Sequence, residues 1–102
     1  MELKPGSRWK SAVCDTEVVV VRSPKTDVGL ECGGYPMIPH AENREPGRLP
    51  AKGFDVGTAV GKRFADGETG LEILCTKAGA GTVTIGGRMI NTKETKKLPS
   101  SD

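Results

Sequence analysis

The sequence has few aromatic residues, a single histidine, and no apolar run longer than the four valines at 18–21. Each scarcity excludes something. One histidine rules out centres built from several imidazoles. Ser-His-Asp or Cys-His catalysis would have to recruit His40 from a stretch rich in proline and charge, with no strained turn to present a nucleophile. Four apolar residues fall far short of the roughly 20 that a membrane-spanning helix requires. The opening MELKPG is polar and lacks the apolar segment of a secretory signal, so a cytoplasmic protein is expected. Cysteine occurs three times, an odd number that argues against a disulfide framework and fits a reducing compartment. Neither sign of charge dominates: 15 basic and 13 acidic residues leave a net charge of +2, too little to attract nucleic acid or a membrane surface.

What the chain does have is turn formers. Fourteen glycines and seven prolines in 102 residues disfavour long helices and favour short strands, so the expected fold class is all-β, a small hairpin-rich domain. Strands are expected over 9–13, 17–22 and 28–32, with a tight turn at Cys14-Asp15-Thr16 and a positive-φ turn at Gly33-Gly34 before residues 35–39. The four adjacent valines predict a strand buried on both faces. Residues 40–53, "HAENREPGRLPAKG", show neither strand nor helix periodicity and form a linker or surface loop. Consecutive hairpins follow: 56–65, an Asp66-Gly67 turn, 70–76, a glycine-rich loop at 78–81, 82–85, a Gly86-Gly87 turn and 88–91. Leu71, Ile73 and Cys75 share one face, as do Val83 and Ile85. The domain reading is a β unit over 1–39, the loop at 40–53, a second β unit over 54–92 and a polar tail over 93–102. Its Lys93, Lys96 and Lys97 belong to a solvated tail.

A faint echo links the halves, with residues 29–38 resembling 81–90 and 12–16 resembling 73–77. It predicts two copies of one β unit about an approximate two-fold axis. "KAGAGTVTIGG" lacks the Lys-Ser/Thr ending and following helix of a phosphate loop, so its glycines are read as turn glycines. Asp15, Glu17 and Glu31 are read as exposed strand positions.

Trp9-Lys10-Ser11-x-x-Cys14-Asp15, the valine run, and Leu30-Glu31-Cys32-Gly33-Gly34-Tyr35-Pro36-Met37 together resemble desulforedoxin and the amino-terminal domain of desulfoferrodoxin, over residues 6–38. That family shows aromatic-Lys-Cys-x-x-Cys-Gly, a valine strand, and Leu-x-Cys-Cys-Gly-x-x-Met. The resemblance implies a rubredoxin-like knuckle in which four cysteines hold one iron. Here Ser11 and Gly33 stand at two of the four ligand positions, and only Cys14 and Cys32 remain.

Three functions stay open. The first is a noncatalytic accessory or protein-interaction module with no cofactor, in which Trp9, Tyr35, Pro36 and Met37 form a contact patch for a protein partner or a second copy of the chain. The second is a zinc- or iron-binding protein using Cys14 and Cys32 with Cys75 or His40, a Cys₃His set that serves structural zinc elsewhere. The third is a thiol redox switch: equivalent family positions share one iron, so Cys14 and Cys32 are expected close enough to form a disulfide.

Overall fold

The computed structural model describes residues 1–45 and 47–92; the expected tail at 93–102, with its three lysines, lies outside the described residues. The fold is all-β, with ten strands in two antiparallel sheets and no helix among the described residues. The strands are β1 (Arg8–Lys10), β2 (Glu17–Arg22), β3 (Leu30–Cys32), β4 (Tyr35–Pro36), β5 (Ile38–Pro39), β6 (Arg63–Ala65), β7 (Glu72–Lys77), β8 (Val83–Ile85), β9 (Arg88–Met89) and β10 (Asn91–Thr92). The larger sheet has the order β10-β6-β7-β2-β1-β5, and the smaller β4-β3-β8-β9.

Exchanging β1–β5 for β6–β10 reproduces both sheet orders, so the topology carries an internal two-fold. Its axis passes between Val19 and Leu74, which face each other where β2 and β7 pair. Around that point Val18↔Cys75 answers Val20↔Ile73, and Glu17↔Lys77 answers Arg22↔Glu72. The opposite charges at both ends of this central pair favour the antiparallel register. Both sheets run through both halves, because β2 pairs with β7 and β3 pairs with β8.

The structure corrects the alignment of the echo. Hairpins at Gly33-Gly34 and Gly86-Gly87 are the equivalent features, one residue out of step with the match of 29–38 to 81–90. All four glycines have positive φ (68°, 86°, 56° and 81°), as tight hairpins between right-twisted strands require. Because β2 is equivalent to β7, Cys75 answers Val20. The likeness of 12–16 to 73–77 is coincidental.

The valine run is corrected too. Val18 and Val20 are buried at 0% and 1% exposure, Val19 is half-buried and Val21 is 42% exposed. The run has one core face, with ordinary strand alternation. Leu71, Ile73, Cys75, Val83 and Ile85 are buried as their period predicts. They join Leu3, Val18, Val20, Leu30, Cys32, Met37 and Ile90 in one cluster between the sheets. Burying each large aliphatic side chain contributes about 1.5–3 kcal/mol.

Several strands are shorter than expected. β1 stops at Lys10 because the Ser11 Oγ accepts hydrogen bonds from the amides of Val13 and Cys14 and curls the chain out of the sheet. The stretch expected as strand 56–65 keeps only β6 and an isolated bridge between Thr58 and Gly79. Asp66-Gly67 is not a two-residue turn, since β6 and β7 are joined by residues 66–71 and the left-handed position is Gly70 (φ 82°). The described residues of 40–53 contain no strand. No helix among the described residues is long and apolar enough to cross a membrane.

Candidate thiol clamp

The turn after β1 and the end of β3 bring Cys14 and Cys32 together, with their sulfurs 3.9 Å apart. Ser11 starts the turn. Its hydroxyl oxygen takes the amides of Val13 at 3.0 Å and Cys14 at 3.1 Å, and its backbone amide donates to the Thr16 carbonyl at 2.8 Å. Thr16 closes the turn, with its Oγ1 3.2 Å from the Cys14 sulfur. Gly81 caps the pair from the second half, its amide donating to Cys14 Sγ at 3.3 Å.

Two loop glycines permit this approach. A Cβ at Gly81 would stand 2.9 Å from Cys32 Sγ and 3.1 Å from Cys14 Sγ, and one at Gly79 would stand 2.4 Å from the Thr16 amide nitrogen. These are close-packing glycines, and the sequence carried no local mark of them. The partners they touch lie more than 45 residues away in the chain.

The two thiols differ. Cys14 is partly exposed, at the floor of a cleft of about 400 Å³ that it shares with Arg44 and Arg48. Burial opposes its ionisation, but hydrogen bonds from Ser11 and Thr16 and from the backbone outweigh that, and the thiol is held below its ordinary value. Cys32 is fully buried. Burial first, and then the charge of Cys14, push its thiol up to about 12. In the folded, reduced protein, iodoacetamide is therefore expected to modify Cys14 well before Cys32. Thr16→Val keeps the side-chain shape and removes the hydroxyl. It should slow Cys14 alkylation near neutral pH and move its pH profile upward, as timed alkylation read by mass spectrometry would show.

The other sequence candidates sit elsewhere. Cys75 is buried in β7, and its thiol donates to the Lys77 carbonyl at 3.2 Å. His40 is half-exposed, with its Nε2 3.2 Å from Glu17 Oε1. Among the described residues, no three His, Cys, Asp or Glu side chains gather, so the Cys₃His set is not assembled there. Met37 is 2% exposed and belongs to the core, which removes it from the contact patch. Trp9 and Tyr35 are half-buried and Pro36 is exposed. Glu17 and Glu31 are not free exposed positions. Glu31 accepts from the Thr84 hydroxyl at 3.0 Å and the Gly87 amide at 2.7 Å, tying β3 to the β8–β9 turn.

No family model, curated protein or solved structure matches the chain.

The clamp can be tested for the four-thiolate iron that the resemblance implies. A tetrahedron with metal–sulfur bonds near 2.3 Å has sulfur–sulfur edges of about 3.8 Å, and the Cys14–Cys32 separation lies close to such an edge. The other two donors are missing. Ser11 Oγ spends its lone pairs on the amides of Val13 and Cys14. A Cβ at position 33 would lie 2.6 Å from Val13 Cγ2 and 3.2 Å from Pro50 Cβ, so the fourth ligand's space is filled. The residues present do not fit a four-thiolate iron or zinc.

Residues 40–53 run along this site. Arg44 Nη1 donates to the Cys14 carbonyl, and its Nη2 is 3.4 Å from Asp15 Oδ1. The Ala51 amide donates to the Gly33 carbonyl at 2.8 Å, and Arg48 stacks over the Tyr35 ring at 5.3 Å. Composition marked this segment as a loop. It did not reveal the docking.

Proposed function

We propose that the chain is a small noncatalytic module on a desulforedoxin-like scaffold, in which Cys14 and Cys32 act as a dithiol switch in a reducing compartment such as the cytoplasm. The reading rests on one observation: the two sulfurs are 3.9 Å apart, one reachable from a cleft and the other fully buried. On oxidation by a small-molecule disulfide the two thiols give up two electrons and two protons and form one S–S bond, and the oxidant leaves as two thiols. The accessible Cys14 meets the oxidant, and Cys32 closes the bond.

Closure to about 2.05 Å draws the turn at 11–16 toward β3. Arg44, held to the Cys14 carbonyl, transmits that shift to the segment beside Tyr35. That face, with Tyr35 and Pro36, is where a protein partner would read the thiol state. Equilibration of the folded protein in a mild disulfide buffer, followed by an acid quench and denaturation, should lower the count of free thiols from three to one per chain, and a reducing buffer should restore it. Cys14→Ser and Cys32→Ser should each abolish this intramolecular loss. A wild-type count that stays at three under oxidant, with the protein folded, would defeat the proposal.

A further inference from the structure

We infer that the reduced Cys14–Cys32 pair is a binding site for a single soft monovalent cation of the copper(I) class, held between two sulfurs and needing no third protein ligand. This goes beyond the redox reading, since it concerns the reduced protein and moves no electrons. Zinc and iron(II) in thiolate sites ask for four donors. The clamp offers two, and the nearby oxygens are neutral hydroxyls already engaged, Ser11 Oγ accepting from the Val13 and Cys14 amides and Thr16 Oγ1 from the Cys14 thiol. A soft d¹⁰ monovalent ion is satisfied by two thiolates, and soft sulfur ligands select copper(I) over harder cations.

The surroundings suit that ion in three further ways. Cys32 has 0% exposure and Gly81 caps both sulfurs, which keeps competing water and oxidant from the inner side. Cys14 opens to the cleft, which supplies an entry path. Two thiolates around a monovalent cation leave one net negative charge, and the Arg44 guanidinium, bonded to the Cys14 carbonyl, stands beside it to offset that charge. A divalent ion would leave no such charge to balance. The ion displaces the thiol protons to solvent, so atoms and charge balance without a co-reactant.

The test is an anaerobic titration of the fully reduced protein against the copper(I)–bicinchoninate complex, read by loss of its colour. Wild type should withdraw one copper(I) per chain, Cys75→Ser should behave as wild type, and Cys14→Ser or Cys32→Ser should bind at least about 100-fold more weakly. Thermal melts of each variant show whether it is folded, and Cys14→Ser, at a partly exposed site, supplies the decisive arm if Cys32→Ser is not. A parallel zinc titration against a chromophoric chelator should show much weaker binding than copper(I). Failure of wild type to compete, retention of copper(I) by folded Cys14→Ser, or equally tight zinc would each overturn the inference. No oxidant is present, so a negative result leaves the dithiol switch standing. Conversely, a failure to form the disulfide does not touch the copper(I) result.

Discussion

Gly79→Ala is expected to destabilise the protein by about 3 kcal/mol, lowering the thermal midpoint by on the order of 15 °C in a domain of this size. The added Cβ would meet the Thr16 amide nitrogen at 2.4 Å and its Cα at 3.0 Å. These are backbone atoms of the turn that carries Cys14, so they cannot rotate away as a side chain could. Gly79 also exchanges two backbone hydrogen bonds with Thr58, at 3.0 and 3.2 Å, which fix it from the other side. Gly81→Ala should show a smaller loss of stability with a specific signature, since its Cβ falls 2.9 Å from Cys32 Sγ and 3.1 Å from Cys14 Sγ. Pushing the sulfurs apart should slow disulfide closure more than it lowers the midpoint. Gly67→Ala is the control: it has open space and an ordinary φ, so its midpoint should be unchanged or slightly raised. Thermal melts followed by circular dichroism check all three.

Asp66→Ala is expected to cost about 2–3 kcal/mol at neutral pH. The carboxylate is 4% exposed and accepts four hydrogen bonds: from the Thr69 hydroxyl at 2.6 Å and amide at 3.2 Å, and from two Arg88 nitrogens at 2.9 and 3.2 Å. Asp66 follows β6 of the larger sheet and Arg88 lies in β9 of the smaller, so the pair ties the sheets together. Arg88 and Thr69 hold the carboxyl well below the usual carboxylate range. A depressed folded-state pKa contributes stability above the unfolded value of about 3.9, and that stability is lost as pH falls below it toward the folded value. Wild type should therefore exceed Asp66→Asn in midpoint by a constant margin from pH 5 to 7, and the margin should shrink below about pH 4. A margin that persists or widens in acid would contradict this account of Asp66.

Asp66 is also the counterpart of Ser11. The Asp66 amide donates to Leu71 as that of Ser11 donates to Thr16, and each side chain receives an amide three residues on, Thr69 or Cys14. One turn geometry thus carries a carboxylate locked to arginine at its first position in the second half, where the first half has the Ser11 hydroxyl, and places the Cys14 thiol where the second half has Thr69. This equivalence was hard to see in the sequence. The turn is specified by a side-chain oxygen at its first position, which serine and aspartate supply equally, so residue identity is not kept.

The legible features were those with local causes. β-branched residues marked β2, alternation marked β7, and the two Gly-Gly pairs marked the hairpins. The valine run misled because no polar residue within it distinguishes the outward face. Asp66-Gly67 looked like a two-residue turn because that dipeptide favours one locally, but the buried link to Arg88 imposed a longer loop. Gly79 and Gly81 read as turn glycines because their demand comes from Thr16 and the thiols, which only tertiary packing brings near. The nearness of Cys14 to Cys32 was an expectation implied by the resemblance to a four-cysteine clamp, and their sulfurs do lie 3.9 Å apart. That Val13 and Pro50 fill the place of the fourth ligand could not be read from spacing.

The pairing of Cys14 with Cys32 is tested most directly by a tryptic map of the oxidised, alkylated protein without reduction. The account predicts one linked species joining residues 11–22, which carry Cys14, to residues 26–44, which carry Cys32, with Cys75 alkylated in residues 64–77. Linkage of either peptide to residues 64–77, crosslinks only between chains, or separately alkylated Cys14 and Cys32 after full oxidation would contradict it.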